Sequence, residues 1–377
     1  MQIRPDAFSN KYGGGDATQL EKTRSELIKL GVSVDVSTEL QPDLSSYDIV
    51  HLFNITRIQE TYIHAQNCLR QRKPYVLSTI HHSKKDIEEY EQNGLYGIYK
   101  LIARVFHKES IIQNVKSIAY TLQSKEGFMP LITQLKTGFL KEQLFVLENA
   151  VMLLPNSLSE ANTINDEFNR NFSNYIIIPN GVEIDDNIIN VDSKIWYDKY
   201  GLKDFIICPG RIEPLKNQIN IIKAIGDKGI KIVFAGGMNE KHRKYCNEFM
   251  KLVNNYPNLH YVGKLQREML FSAYKNAKVC VLASWFETTG LVGLEAGILD
   301  SNVVITNKGY TKDYYKELAW YCEPDNIDSI RKSVLSAYDC KRGYYPLKDY
   351  ILKNFTWEKA ARLTLDAYNR VLNILNR

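Results

Sequence analysis

The sequence predicts an α/β protein built from two Rossmann-like halves, and three observations carry that prediction. Short apolar runs rich in β-branched residues, such as Lys278-Val279-Cys280-Val281-Leu282-Ala283, are too short for helices and suit buried strands. Segments of helical periodicity separate them, which is the strand–helix–strand rhythm of a parallel sheet. The 377 residues suffice for two domains, each with its own core.

Composition removes several classes. With 44% hydrophobic and 24% charged residues, the chain is neither disordered nor low-complexity. Met1 to Asp6 lacks the apolar core of a signal peptide, and no apolar run approaches the ~20 residues needed to cross a bilayer. The expected location is therefore the cytoplasm. Cys68, Cys208, Cys246, Cys280, Cys322 and Cys340 are scattered without a Cys-x-x-Cys pair, so buried free thiols are expected rather than disulfides or zinc ligands. The net charge of +5 equals the excess within Lys100–Lys141, which holds seven Lys/Arg against Glu109 and Glu126.

In chain order, Gln2-Ile3-Arg4 makes a poor first strand, and a loop runs on to Tyr12-Gly13-Gly14-Gly15-Asp16. Ala17 to Leu30 has helical spacing and stops at Gly31; Val32–Val36 alternates like a strand. A glycine turn opening a helix can set the amides of Gly14 and Gly15 against a diphosphate. The spacing is not Gly-x-Gly-x-x-Gly and no Walker lysine follows, so a surface loop stays open as the alternative. Tyr47–Phe53, a helix over about 57–72, and Pro74–Ile80 continue the rhythm and end at His81-His82. A histidine at the carboxyl end of a parallel strand can serve a sugar hydroxyl or a reacting oxygen.

From Ser83 to about Asn149 helical patterning takes over. Tyr99, Phe106, Tyr120, Phe128, Phe139 and Phe145 interleave with the basic residues, and Gly127, Pro130 and Gly138 divide the stretch. Such helices suit an anionic membrane surface; a domain core with solvated lysines is the other reading. Nucleic acid is set aside, because no recognition motif accompanies the patch.

Val151–Pro155 and a helix after Ser157 close the first half, and Asn174–Val182 follows. After a polar stretch over 183–203, the strand Asp204–Gly210 leads into Arg211 and, past Ile212-Glu213-Pro214-Leu215, Lys216. Both cations flank a strand-to-helix loop, where they can reach one anion beside a helix N-terminus. On a diphosphate they would neutralise the charge that develops as it leaves; solvated loop charges are the alternative. Strands are expected over 231–237 and 259–265, with helices around 238–254 and 266–277.

The strand 278–283 runs into Ser284-Trp285-Phe286-Glu287-Thr288-Thr289-Gly290-Leu291-Val292-Gly293-Leu294-Glu295-Ala296. If Thr289 to about Asp300 is helical, Glu287 precedes the helix and Glu295 lies roughly 12 Å further along it, a span for an extended ligand. The free amides of Thr289, Gly290 and Leu291 would face an anionic or hydroxyl-rich group. The duller reading is one Glu before a helix and another on a solvated face. Asn302–Gly309 is the next strand, and an amphipathic helix ends the chain; no repeat of 20–50 residues is present.

The stretch from Glu287 to Glu295 resembles the Glu-x7-Glu signature of retaining glycosyltransferase family 4, with Gly290 and Leu294-Glu295-Ala296 matching. The glycine loop, Thr79-x-His81, Pro179-Asn180-Gly181-Val182, Gly210-Arg211-x4-Lys216 and Phe355-Thr356-Trp357 follow the same family's order across nearly the whole chain. Thr289 replaces the family's Phe and marks an unusual donor pocket; Asp300-Ser301-Asn302 stands where Gly-x-Pro is usual. The resemblance implies a GT-B fold, two Rossmann-like domains with a cleft between them. Residues 1–175 would bind the acceptor, with the helix at about 358–377 packing back on them, and 176–357 would bind a nucleotide-sugar donor.

By the same resemblance, Arg211 and Lys216 hold the donor diphosphate, Gly14 and Gly15 approach it, and the backbone at Leu265 pairs with the base. Glu295 binds the ribose, Glu287 a sugar hydroxyl, and the amides of Thr289 to Val292 the sugar or phosphate. His81, preferred to His82 by register, contacts the donor sugar. The implied activity is retaining, metal-independent hexose transfer without a cofactor. The donor would be a UDP- or GDP-sugar, and the acceptor a polyprenyl-diphosphate-linked glycan of O-antigen, capsule or lipopolysaccharide type. A transferase for a soluble acceptor, a nucleotide-sugar epimerase and a non-catalytic nucleotide-sugar-binding protein are the alternatives. A dehydrogenase is disfavoured by the missing Gly-x-Gly-x-x-Gly.

Overall fold

The computed structural model describes residues 1–8, 14–96 and 128–375. They fall into two compact units: Met1–His82, Ile102–Asn180 and Trp357–Arg377, and then Ser83–Leu101 with Gly181–Thr356. The sequence reading set a boundary at 175 and kept 83–149 in one piece. Packing divides the chain at Asn180 and groups Ser83–Leu101 with the second unit.

In chain order the helices are α1 Gly15–Lys29, α2 Ile58–Arg70, α3 Lys84–Glu89, α4 Phe128–Thr137, α5 Phe139–Asn149 and α6 Leu158–Phe168. They continue as α7 Asp186–Ile189, α8 Lys194–Tyr200, α9 Gln218–Ile225, α10 Arg243–Asn254 and α11 Arg267–Asn276. The last five are α12 Leu291–Gly297, α13 Thr311–Tyr315, α14 Ile327–Asp339, α15 Leu347–Asn354 and α16 Trp357–Leu375.

The first unit holds three parallel strands in sequential order, β1 Val50–Phe53, β2 Tyr75–Ser78 and β3 Met152–Leu153. Single bridges extend both edges: Gln2 pairs with Leu52 and Ser37, and Tyr175 with Leu153. The expected strands at 2–4 and 32–36 thus reduce to bridges at Gln2 and Ser37. Their residues supply too little buried apolar surface to extend the pairing, since Val32–Val36 alternates only between exposed and half-buried. The spatial order Ser37, Gln2, β1, β2, β3, Tyr175 reverses direction between Gln2 and β1, which makes that edge a topological switch point.

Strand alternation separates the faces of this sheet. Val50, Leu52, Tyr75 and Leu77 bury against α2 and α5 with Ile58, Tyr62, Ala65, Val146 and Leu147. On the other face, the His51 ring bonds the Tyr368 hydroxyl of α16 through Nδ1 at 2.8 Å and the Ser78 hydroxyl through Nε2 at 2.9 Å. Burial, and then the N-terminal ammonium, hold the His51 imidazole well below its usual value, so it anchors α16 as a neutral ring.

The second unit holds six parallel strands: β4 Phe205–Pro209, β5 Ile232–Ala235, β6 Leu259–Gly263, β7 Ala277–Leu282, β8 Asn302–Thr306 and β9 Trp320–Cys322. Their order, β6-β5-β4-β7-β8-β9, is the doubly wound Rossmann arrangement with its switch point between β4 and β7. Phe205, Ile207, Val233, Ala235, Cys280, Leu282, Val303 and Ile305 form one face of the core. The alternate residues Ile206, Cys208, Ile232, Phe234, Val279, Val281 and Val304 form the other, against α9, α10 and α14. Two-sided burial explains the continuously apolar strands.

The polar stretch 183–203 contains the helices α7 and α8, which its composition concealed. Trp196 of α8 is fully buried and its indole donates to the Leu202 carbonyl at 3.0 Å. Cys68, Cys208, Cys246, Cys280 and Cys322 are buried free thiols, and Cys340 is half-buried. Among the described residues no helix is long and apolar enough to cross a membrane. Tyr99, Phe106, Tyr120, Gly127 and most of the basic cluster lie outside the described residues.

Candidate functional site

The switch point of the six-stranded sheet collects the charged residues singled out in the sequence. Strand β4 ends at Pro209, and Gly210 follows with φ +135°, turning the chain into the Arg211–Lys216 loop. Close packing requires a glycine on the neighbouring strand, since a Cβ on Gly236 would lie 1.9 Å from the Gly210 carbonyl oxygen. Strand β7 ends at Leu282 and delivers Ser284 and Glu287 beside that loop.

Backbone and side-chain bonds tie the two loops together. The Trp285 amide donates to the Leu215 carbonyl at 2.9 Å. The Asn217 side-chain amide donates to the Ala283 carbonyl at 2.9 Å and to the Pro324 carbonyl at 2.7 Å. Asn217 adopts φ +59°, a left-handed conformation that Asn tolerates better than most residues. Within this frame the Lys216 ammonium meets Glu287 Oε1 at 2.5 Å, and the Ser284 hydroxyl donates to the same oxygen at 2.7 Å.

Burial by itself would lower the Lys216 ammonium, but Glu287 and then Glu213 outweigh it and hold it above its usual value. Lys216 therefore carries its charge at every physiological pH. Arg211 is half exposed, with Nη2 3.4 Å from Glu213 Oε1. Glu213 is buried and also accepts from the Asn239 side-chain amide at 2.6 Å. One exposed guanidinium and one partly covered ammonium, each beside a carboxylate, can exchange those partners for an incoming anion.

The helix expected from Thr289 begins two residues later. Gly290 sits at φ +70° before α12, and its carbonyl accepts from the Tyr315 hydroxyl at 2.6 Å. Its positive φ favours glycine, and a Cβ there would lie 2.6 Å from Ile305 Cδ1 and push that methyl aside. The first-turn amides that could serve a ligand are accordingly those of Leu291 and Val292, since the Gly293 amide donates to the Gly290 carbonyl at 2.8 Å, and Thr289 is buried beneath the turn. Glu295 is half-buried on α12; together with burial, the larger effect, it raises the Tyr274 phenol well above its usual value. Leu265 is half-buried beyond β6, packed on the core face that contains Val262 and Phe271.

In the first unit, α1 begins at Gly15 with Gly14 preceding it. Asp16 is buried there; the Arg4 guanidinium pairs with it, and the Asn54 side-chain amide donates to it at 3.2 Å. These three residues cluster at the switch point of the first sheet, on the edge that the sequence made least convincing.

His81 is buried, with Nε2 2.7 Å from Glu167 Oε2, while His82 is half-buried. Glu160 grips the turn that leads to it: Oε1 accepts from the Thr79 hydroxyl at 2.5 Å and the His81 amide at 2.8 Å, and Oε2 from the Asn156 amide at 2.8 Å. Burial pushes the Glu160 carboxyl up against the lowering effect of those bonds. Between Thr79 and His81, Ile80 is held at φ +44°, a strained conformation for a β-branched residue.

Sequence reasoning missed Glu213, Asn217, Ser284, Glu160, Glu167 and Asp16. Only Glu160 had a local signal, the Ser157-x-x-Glu160 pattern of a capping box, in which the Ser157 hydroxyl accepts from the Glu160 amide at 3.1 Å. Among the described residues no three His, Cys, Asp or Glu side chains gather where they could hold a metal ion.

Residues 195–354, which contain Arg211, Lys216, Glu287 and Glu295, match the family described as "Glycosyl transferases group 1". An uncharacterized glycosyltransferase of Methanocaldococcus jannaschii is 24% identical over 207 residues, covering 52% of this chain and 48% of that protein. The chain thus spans about half the length of the curated relative it matches. The Anabaena protein HepE, solved in complex with UDP and glucose, superposes with a TM-score of 0.68 at 12% identity, covering 98% of each chain. Sucrose-phosphate synthase from Thermosynechococcus elongatus gives 0.63 at 14% identity over 88% of this chain and 75% of that one. A UDP-forming α,α-trehalose-phosphate synthase from Burkholderia xenovorans, in complex with glucose-6-phosphate, gives 0.58 at 9% identity over 95% and 78%. The fold is the GT-B fold of these solved glycosyltransferase structures, and within it residues 195–354 match the glycosyl transferases group 1 family.

Proposed function

We propose that the protein is a retaining glycosyltransferase that moves a hexose from a UDP- or GDP-sugar to a growing glycan. The observation that carries this reading is the placement of Arg211 and Lys216 with Glu287 at the β4/β7 switch point, inside the family-matched region. The UDP and glucose bound by HepE favour a UDP-sugar.

In the proposed reaction the bond from the anomeric carbon to the diphosphate oxygen breaks, and the nucleoside diphosphate leaves with the electron pair. The acceptor hydroxyl oxygen bonds the same carbon with the same anomeric configuration and gives its proton to the departing diphosphate. Arg211 and Lys216 neutralise the charge on the departing diphosphate, which is the role a divalent ion plays at other such centres. As Lys216 turns to the diphosphate, Glu287 is released to accept from a sugar hydroxyl. Glu295 binds the ribose, the Leu265 backbone meets the base, and the amides from Leu291 and Val292 serve the sugar or phosphate. In the first unit, Gly14 and Gly15 approach the diphosphate and His81 acts at the sugar.

For the acceptor we favour a lipid-linked glycan of the O-antigen, capsule or lipopolysaccharide type, assembled at the inner face of a membrane. Phe128, Ile132 and Leu135 recur at helical spacing on α4 and are each about half exposed, with Met129, Leu140, Lys136 and Lys141 nearby. An apolar stripe bordered by lysines suits a peripheral contact with anionic lipid.

The test is a screen of UDP- and GDP-sugars against polyprenyl-diphosphate-linked and soluble acceptors, with and without EDTA, followed by anomeric assignment. Transfer with retention that survives EDTA is the expected result. An inverted product overturns the mechanism, and turnover with a small phosphorylated sugar alone replaces the lipid-linked acceptor with a soluble one. Isomerised donor without transfer reassigns the protein as an epimerase.

A further inference from the structure

A segment outside the family-matched region braces the loop that carries Glu287. Helix α3 and the helical turn Tyr90–Gly94 pack within the second unit against both flanks of that loop. On one flank, the backbone of Lys308–Tyr310 encloses Glu287: the Tyr310 amide donates to the Glu287 carbonyl at 3.0 Å, and the Glu287 amide to the Lys308 carbonyl at 3.4 Å. Gly309 lies so close that a Cβ would sit 2.0 Å from the Glu287 carbonyl oxygen, and its φ is +78°. Asp86 Oδ2 accepts from the Gly309 amide at 3.0 Å, and Glu89 Oε2 meets the Lys308 ammonium at 2.9 Å.

On the other flank, Tyr90 lies between the two aromatic residues that precede Glu287. Its ring centroid is 6.2 Å from that of Trp285 and 6.1 Å from that of Phe286. Gly94 lets the turn close on Trp285, because a Cβ would lie 2.6 Å from the indole. The loop is therefore held at Gly309, at Lys308 and through Trp285, all from one short stretch of chain.

We propose that Asp86 and Glu89 are positioning residues for Glu287, so that α3 sets how well the site holds the sugar of the donor and has little effect on how it holds the nucleotide. This rests on the reading of Glu287 as a sugar-binding group. The physical reason is reach: Asp86 and Glu89 hold Gly309 and Lys308, whose backbone encloses Glu287, whereas the Arg211–Lys216 loop has further anchors away from them, Asn217 on the Pro324 carbonyl and Gln218 on the Arg211 carbonyl.

The experiment measures binding by titration calorimetry for UDP, GDP, UDP-glucose, UDP-galactose, UDP-N-acetylglucosamine and GDP-mannose. It uses the full chain, Asp86→Ala, Asp86→Asn and Glu89→Gln. For the best-bound nucleotide sugar, Asp86→Ala is expected to weaken binding about tenfold while affinity for the bare nucleotide stays within about twofold, as for loss of one charged hydrogen bond. Asp86→Asn retains an acceptor for the Gly309 amide and is expected to stay within about threefold of wild type. Glu89→Gln, which leaves Asp86 in place, should show a smaller change of the same kind. Equal weakening for sugar and bare nucleotide, or no change in either, overturns the inference. A wild-type chain that binds none of these nucleotides overturns the proposed function and this inference with it.

Discussion

The carboxyl ends of the two sheets carry similar residues and use them differently. In the second unit, Arg211 is half exposed and Lys216 shares Glu287 with a serine hydroxyl, so its charged groups can change partners. In the first unit, Glu160 is fully buried and accepts from two backbone amides and a hydroxyl, while the Arg4–Asp16 pair is almost wholly covered. One end leaves its charged groups able to change partners; the other uses charge to hold a strained turn. A buried carboxylate that accepts three hydrogen bonds is costly to disturb, whereas a half-exposed ion pair contributes little stability and is free to act.

The sharpest way to break this comparison is to remove charge at both ends. Lys216→Ala and Arg211→Ala are each expected to lower turnover at least ~100-fold with little loss of stability, the range found on deleting groups that stabilise developing charge. Steady-state kinetics beside thermal melting decides it, and near-normal activity in both variants sinks the diphosphate assignment. At the other end, Glu160→Ala leaves the Thr79 hydroxyl and the His81 and Asn156 amides without their acceptor in the interior. It should cost about 3 kcal/mol in denaturant unfolding, at about 1–3 kcal/mol per stranded group. A variant of normal stability and lost activity would mean that Glu160 serves the reaction and not the turn.

The smallest effect concerns pH. Glu142 of α5 is fully buried, and burial, with Glu60 nearby, pushes its carboxyl up to about 8. The folded chain then binds more protons than the unfolded one between the ordinary glutamate value and about 8, so stability falls as pH rises through that window. Glu142→Gln should flatten the profile and raise the melting temperature above pH 8 while leaving it almost unchanged near pH 5. A variant whose melting temperature parallels wild type from pH 5 to 9 rules this out.

Much of the second unit was legible because its signals are local. Apolar strands of β-branched residues, Gly210 and Gly290 at turns, and Arg211 and Lys216 on one loop all lie within short windows. The first unit was harder to read. Gln2 and Ser37 contribute single bridges, the strain at Ile80 has no residue signature, and Glu160 and Glu167 reach the Thr79–His81 turn from about 80 residues away. Helices α7 and α8 hid in a polar stretch because its buried residues, Ile188, Val191, Trp196 and Leu202, are spread among polar ones.

What the sequence by itself determined is strands β1 to β8, the two-sided burial of those in the second unit, and the loops where chemistry can occur. Strand period and the steric freedom of glycine act between neighbouring residues and leave their mark there. Tertiary structure decided the partners: that Lys216 meets Glu287, that Glu160 accepts from the Thr79 hydroxyl and the His81 amide, and that Asp86 reaches Gly309. Hydrogen bonds and ion pairs have ranges of a few ångströms and no sequence period, so only the packing of distant loops at a switch point can choose between them.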